Sequence, residues 1–210
     1  MRKKFKHEKV LVTGAGGFIG SHLVKYLKKK GYWVRGVDVK KPEYEKSLCD
    51  EYLILDLRKE TNALKATHNI SHVYNLAANM GGMGFISTAS VDILHDNVLV
   101  DTNMLEASFQ NNVKKFFYPS SALVYPNTIK HIRLKESDAY PASPDSEYGW
   151  EKLFVERLCN AYLLEKGLET RVARFHNIYG PQGTWTGGRE RVIAAICRKI
   201  AMVEDGGEIE

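Results

Sequence analysis

Residues 9–21 read KVLVTGAGGFIGS, and the reading of this stretch decides the fold. Val10-Leu11-Val12 is a short apolar run, Gly14, Gly17 and Gly20 follow at once, and Phe18, Leu23, Val24 and Leu27 then recur at helical spacing. The order is strand, tight turn, helix. Glycine lets such a turn fold back, lets backbone approach a ligand closely and lets the helix pack on the strand. The free N–H groups and positive dipole end of the new helix attract a diphosphate. The spacing is G-x-x-G-x-x-G, because position 19 is Ile. Gly14, Gly17, Phe18, Ile19 and Gly20 are therefore expected to form a dinucleotide cradle. The plainer alternative, a glycine-rich turn without a ligand, loses ground to the strand before, the helix after and an acid at the right distance.

That acid is Asp38, 24 positions after Gly14, where Tyr32-Trp33-Val34-Arg35-Gly36-Val37-Asp38 reads as a second buried strand ending in an acid. A carboxylate there can accept both ribose hydroxyls of an adenosine and would repel the extra phosphate of NADP, so NAD is the expected cofactor. Gly31 fits a helix C-cap between the two. Tyr52–Leu55 reads as a third strand, with Asp56 and Leu57 at the carboxyl end where ligands gather in an open parallel sheet. Residues 60 to 67 suit a short helix. His72–Ala78 reads as a fourth strand whose last residues, Leu76, Ala77 and Ala78, leave room for the cofactor. The cluster Met80-Gly81-Gly82-Met83-Gly84 is expected as loop, either a lid or an irregular connection.

Residues 89 to 111 form a long helix pattern with two apolar faces, one of which fits a partner helix. Residues 113 to 118 give a fifth strand, and 127 to 145 a proline-containing loop. A second long helix runs from about Ser146 to Lys166 before Gly167, and 171 to 175 is a sixth strand. Residues 176 to 188 are loop, and 190 to 203 helical. Strand and helix alternate throughout, which predicts an α/β, doubly wound, mostly parallel Rossmann sheet with right-handed crossovers. Residues 1–180 are expected to form the cofactor domain and 181–210 the start of a smaller substrate lobe. Gly206–Glu210 reads as a turn into a strand that is cut off.

Bulk properties narrow the classes. The 210 residues are 44% hydrophobic with a net charge of +5, part of it in the leading MRKKFK, which reads as a solvated tail and not as a nucleic-acid arm. Cys49, Cys159 and Cys197 lack metal or disulfide spacing, and neither a membrane span nor a signal peptide is read. No metal, nucleic-acid or membrane partner is expected, and the cytoplasm is the expected compartment.

Tyr148 and Lys152 are four apart on the second long helix and so share a face. A lysine ammonium beside a tyrosine stabilises the phenolate, which makes the hydroxyl a usable acid or base near neutrality. Ser121 at the end of the fifth strand can hold the substrate oxygen while the tyrosine moves the proton.

GAGGFIG, Asp38, NLAA at 75 to 78, Ser121, YGWEK at 148 to 152 and RFHNIYGP at 174 to 181 resemble the extended short-chain dehydrogenase/reductases that rework nucleotide-activated sugars. AANMGGMGF, LKESDAYPA, FHNIYGPQGTW and GGRE are similar to the GDP-mannose 3,5-epimerases among them. The resemblance implies a recycled NAD, also contacted by Met80, and a GDP-hexose substrate held by Gly81, Ser121, Asn177, Glu190 and Lys199. A loop-fixing role for the Asn177 amide stays open. It implies oxidation at the sugar C4, inversion at C3 and C5 beside the resulting ketone, and reduction again. Homodimerisation through helices 89–111 and 146–167 is a further expectation. Two positions depart: the C3/C5 proton carriers of these enzymes are a cysteine and a lysine, where this chain has Leu123 and Arg191. Simpler C4 oxidoreduction or 4-epimerisation therefore stands as the alternative, with a cofactor- and nucleotide-sugar-binding chain impaired in turnover behind it.

Overall fold

The computed structural model describes residues 8–42, 45–126, 133–204 and 207–208. Six strands, β1 (Lys9–Thr13), β2 (Trp33–Asp38), β3 (Glu51–Ile54), β4 (His72–Asn75), β5 (Lys115–Ser121) and β6 (Glu169–Phe175), form one sheet in the order β3-β2-β1-β4-β5-β6. Every neighbouring pair is parallel. The chain order reverses between β1 and β4, so a crevice opens at their carboxyl ends. The helices are α1 (Phe18–Lys30), α2 (Glu60–Thr67), α3 (Met83–Thr88), α4 (Ser90–Gln110), α5 (Glu147–Lys166) and α6 (Val192–Met202).

The apolar run of β1 is buried on both faces. Val10 and Val12 meet Val24 and Leu27 of α1 together with Val34, while Leu11 joins Met104, Leu105, Phe116 and Val155 on the opposite side. Alternation along the strand thus divides one run between two cores, as a sheet covered on both faces requires. α2, α4 and α5 pack side by side over the second core. Helix ends follow local chemistry: Ser146 Oγ accepts from Gly149 N at 3.2 Å to start α5, and Gly31 and Gly167 end α1 and α5 in the left-handed region. Arg174 on β6 holds Glu156 of α5 with two hydrogen bonds, 2.9 and 2.7 Å, and so pins α5 to the sheet.

Several boundaries differ from those expected. β4 stops at Asn75, because the Ala77 N–H turns out of the ladder to donate to Thr13 Oγ1 at 2.9 Å. β5 runs on to Ser121, past Pro119. Its register with β4 ends at Phe117, so the missing N–H falls where β6 alone borders the strand. The glycine cluster is loop only to Gly82, and Met83–Thr88 is helix. On α4 the buried stripe is Ile93, Asn97, Val100, Asp101, Met104, Leu105, Ala107 and Ser108, two of them an amide and an acid four residues apart. Of the expected turn and strand at 206–210 only residues 207 and 208 are described, and neither is in a strand; residues 127–132 of the expected loop fall outside the described residues.

Phe116 is fully buried where β5 faces α4 and α5. Phe116→Ala is expected to lower unfolding stability by about 3–5 kcal/mol through lost transfer energy and a residual cavity, read from the urea midpoint.

Candidate active site

The turn after β1 needs glycine for reasons of space. Gly14 has φ of 63°, and a Cβ there would lie 2.9 Å from the Leu76 carbonyl oxygen. A Cβ on Gly20 would overlap the Gly14 carbonyl. α1 can begin this close to β1 and β4 only without those methyl groups. Its first turn carries no acid, and no side chain caps it, which leaves N–H groups and the dipole end directed at the crevice. Asp38, at the carboxyl end of β2, accepts from Gly16 N at 3.0 Å and Val39 N at 2.8 Å, so its carboxylate is held against the turn. Tyr52 stands beside it with its hydroxyl donating to the Lys40 carbonyl at 2.8 Å, and burial, reinforced by Asp38, raises that phenol. Leu76, Ala77 and Ala78 border the crevice where β4 leaves the sheet. These residues fit a dinucleotide: a glycine-lined N-terminus for the diphosphate, an acid at the next strand end for a ribose, and small side chains between.

Asp56 is placed at the sheet edge as expected, but its carboxylate is taken by Arg58. Nε donates to Oδ1 at 3.0 Å and NH2 to Oδ2 at 2.9 Å, while NH1 reaches Asp96 at 2.9 Å. Leu57 packs into the core.

At the other side of the crevice, β5 ends at Ser121, whose hydroxyl accepts from Leu123 N at 3.2 Å and starts a single 3-10 turn, Ala122–Val124. α5 lies directly against that turn, because a Cβ on Gly149 would overlap the Leu123 carbonyl. Tyr148 is thereby pressed among Ile86, Ile93 and Leu123 and is 6% exposed. In this structure the phenol lies above its ordinary value: burial raises it most and Glu151 adds to the rise, against the pull of Lys152, Arg191 and a hydrogen bond from Ser121. Lys152 Nζ sits 5.5 Å from the Tyr148 ring centre and 4.7 Å from that of Tyr118, and it donates to the Tyr118 hydroxyl at 3.0 Å. Burial favours the neutral amine, but Glu151 and Asp101 outweigh it, so the ammonium is held above its ordinary value.

The four remaining substrate positions scatter over two segments. Gly81 is buried against Phe85. Glu190 is part-buried and accepts from Arg198 at 3.3 Å. Asn177 and Lys199 are exposed. The backbone at 189–190 lies across the glycine cluster: Gly82 N donates to the Arg189 carbonyl at 3.0 Å, and the Arg189 guanidinium stacks 3.9 Å over Phe85. The cluster, Met80 included, is thus clamped rather than open. Sequence reasoning missed Thr13, Asn75, Asp101, Tyr118 and Glu151, which stand behind Lys152. The available signal was Asp101 and Asn97 inside an otherwise apolar helical stripe.

A Rossmann sheet of this strand order, with a glycine turn on β1 and a serine, tyrosine and lysine gathered at the end of β5, defines a dinucleotide-dependent oxidoreduction scaffold. Residues 10–209 match the profile of the NAD dependent epimerase/dehydratase family, and the chain belongs to that family. GDP-mannose 3,5-epimerase 1 of Oryza sativa subsp. indica is 50% identical over 206 residues, covering 96% of this chain and 54% of the rice protein. GDP-mannose 3,5-epimerase of Arabidopsis thaliana is 49% identical over 207 residues, covering 96% and 55%. Among solved structures, Thermus thermophilus UDP-glucose 4-epimerase in complex with NAD is 28% identical with a TM-score of 0.80, covering 91% of this chain and 62% of that one. The chain spans about half the length of the curated relatives it matches.

Asp38→Ala is expected to weaken NAD binding and to reduce discrimination against NADP. Fluorescence titration with both dinucleotides checks this, and equal losses for the two would remove Asp38 from the ribose site.

Proposed function

We propose that the chain carries the cofactor-binding and catalytic part of an NAD-dependent epimerase of a nucleotide-diphospho-sugar, with GDP-hexose as substrate and a transient 4-keto sugar. The observation that carries this reading is the gathering of Ser121, Tyr148 and Lys152 at the same edge of the sheet as the glycine turn. The resemblance to GDP-mannose 3,5-epimerases of rice and Arabidopsis supports the substrate class. NAD, when bound, supplies the two-electron acceptor and returns the same electrons. Ser121 holds the C4 oxygen, Tyr148 takes the hydroxyl proton and later restores it, and the Lys152 ammonium stabilises the phenolate in between. The ketone matters because it lowers the cost of removing a neighbouring C–H proton, whose enolate positioned donors can stabilise.

A second reading is favoured by Leu123. Its side chain packs apolar against Tyr148, Ile86 and Ile93, and it carries no proton. Arg191, at the start of α6, brings positive charge toward Tyr148 but stays protonated and is a poor general acid. C4 oxidoreduction or 4-epimerisation needs only Ser121, Tyr148 and Lys152. The division at residue 180, a cytoplasmic setting and a homodimer through α4 and α5 belong to the same proposal. Half-exposed Trp150 and Phe154 support the dimer, as does Val91 at 78% exposure.

Incubation with GDP-mannose in heavy water separates the readings: label at C3 or C5 supports the first, and inversion at C4 without label the second. Tyr148→Phe is expected to lower hydride transfer by about 10²–10⁴-fold with NAD still bound, as followed at the reduced-nicotinamide absorbance. Unchanged turnover would remove Tyr148 from the chemistry.

A further inference from the structure

Beneath Lys152 the core holds more acid than one ammonium balances. Lys152 Nζ lies 3.6 Å from Glu151 Oε2 and 3.9 Å from Asp101 Oδ2, and these are the two carboxylate oxygens with no hydrogen-bond donor among the described residues. The other oxygen of each acid is satisfied: Asp101 Oδ1 accepts from Asn75 Nδ2 at 2.7 Å, and Glu151 Oε1 accepts from the Tyr118 hydroxyl at 3.1 Å. Asp101 and Glu151 are each 2% exposed and Lys152 is 3% exposed. Asn75 faces the site from β4, Tyr118 from β5, Asp101 from α4, and Glu151, Lys152, Tyr148 and Cys159 from α5. Among the described residues, Lys152 is the one cation ion-paired with either acid. Two ionised carboxylates would leave a net negative charge in this dry space, with an unsatisfied oxygen on each. One proton placed between those oxygens satisfies both and brings the cluster to neutrality.

We propose that Asp101 and Glu151 share one proton between Oδ2 and Oε2, and that this dyad is a positioning device that holds the Lys152 ammonium against Tyr118 and Tyr148. Both oxygens lie beside the same Lys152 nitrogen, at 3.9 and 3.6 Å, and Asp101 is raised well above the usual carboxylate range, first by burial, with Glu151 adding to the rise against the pull of Lys152. The proton is taken from solvent on folding and is not consumed in turnover. A hydrogen-bonded chain ties the dyad to the crevice: Ala77 N donates to Thr13 Oγ1 at 2.9 Å, that hydroxyl donates to Asn75 Oδ1 at 2.9 Å, and Asn75 donates to Asp101. The strand end that borders the cofactor crevice is thereby linked to the lysine. Asp101 and Glu151 act through Lys152 and touch no substrate.

The importance of the dyad for catalysis rests on the reading of Lys152 given above, but the proton itself is measurable in the protein without cofactor or substrate. Infrared spectra at neutral pH are expected to show a protonated-carboxyl stretching band that shifts in heavy water and is lost in both Asp101→Asn and Glu151→Gln, since either amide supplies the missing donor. Unfolding of the wild type is expected to release one more proton than unfolding of either variant. Its folding constant then falls tenfold more per pH unit than theirs as pH rises between the unfolded and folded carboxyl values. A raised folded-state acid contributes stability below the unfolded value that is lost in that window. Absence of the band in the wild type, or equal proton release in wild type and Asp101→Asn, overturns the shared proton. A band that survives Glu151→Gln assigns the proton to Asp101 alone and overturns the sharing. Absence of the band in the wild type overturns the proposal even if a variant does not fold.

Discussion

An ammonium group at 3% exposure is the constraint around which the centre of this molecule is arranged. Taking a charged amine out of water costs several kcal/mol even after the surroundings relax, so Lys152 persists only because acids and hydroxyls are brought to it. Those partners come from three different elements. Asp101 projects from α4, Tyr118 from β5, and Glu151 from the same turn of α5. The requirement to neutralise one side chain therefore fixes how two long helices meet the sheet, and that placement presents Tyr148 at the sheet edge.

Backbone proximity is the second constraint, and it works at both sides of the crevice. Gly20 lets α1 start against β1, and Gly149 lets α5 lie on the turn after β5. In each case a methyl group would collide with a carbonyl oxygen, which cannot rotate away as a flexible side chain could. The two contacts flank the crevice, one positioning the N-terminal N–H groups of α1 and the other positioning Tyr148 and Ser121.

Much of this was legible in the chain. The apolar run at Val10–Val12 is buried on both faces, Trp33–Asp38 is a strand with Arg35 in its middle, and the caps Gly31, Ser146 and Gly167 mark helix ends by their own chemistry. The end of β4 was misjudged because Leu76-Ala77-Ala78 is apolar enough to continue a strand. What stops it is a hydroxyl 64 positions away, at Thr13. The same limit hid the site's interior. Tyr118 and Glu151 carry no local pattern that announces them, and Asp101 shows only as an acid inside the buried stripe of α4, since their roles come from α4 meeting α5 over β5, contacts between distant parts of the chain. Tyr148 and Lys152 were visible because the helix itself sets their spacing.

The Tyr148 hydroxyl shows how these constraints meet in the chemistry. The apolar wall of Ile86, Ile93 and Leu123 excludes water and favours the neutral phenol, while Lys152, Arg191 and Ser121 favour the phenolate. Burial wins in the protein alone, so the resting group is a proton donor. To accept a proton it needs further positive charge or a hydrogen bond at the oxygen beyond what these three groups supply. Leu123 is part of that wall, so an apolar side chain at this position contributes to the burial that favours the neutral phenol.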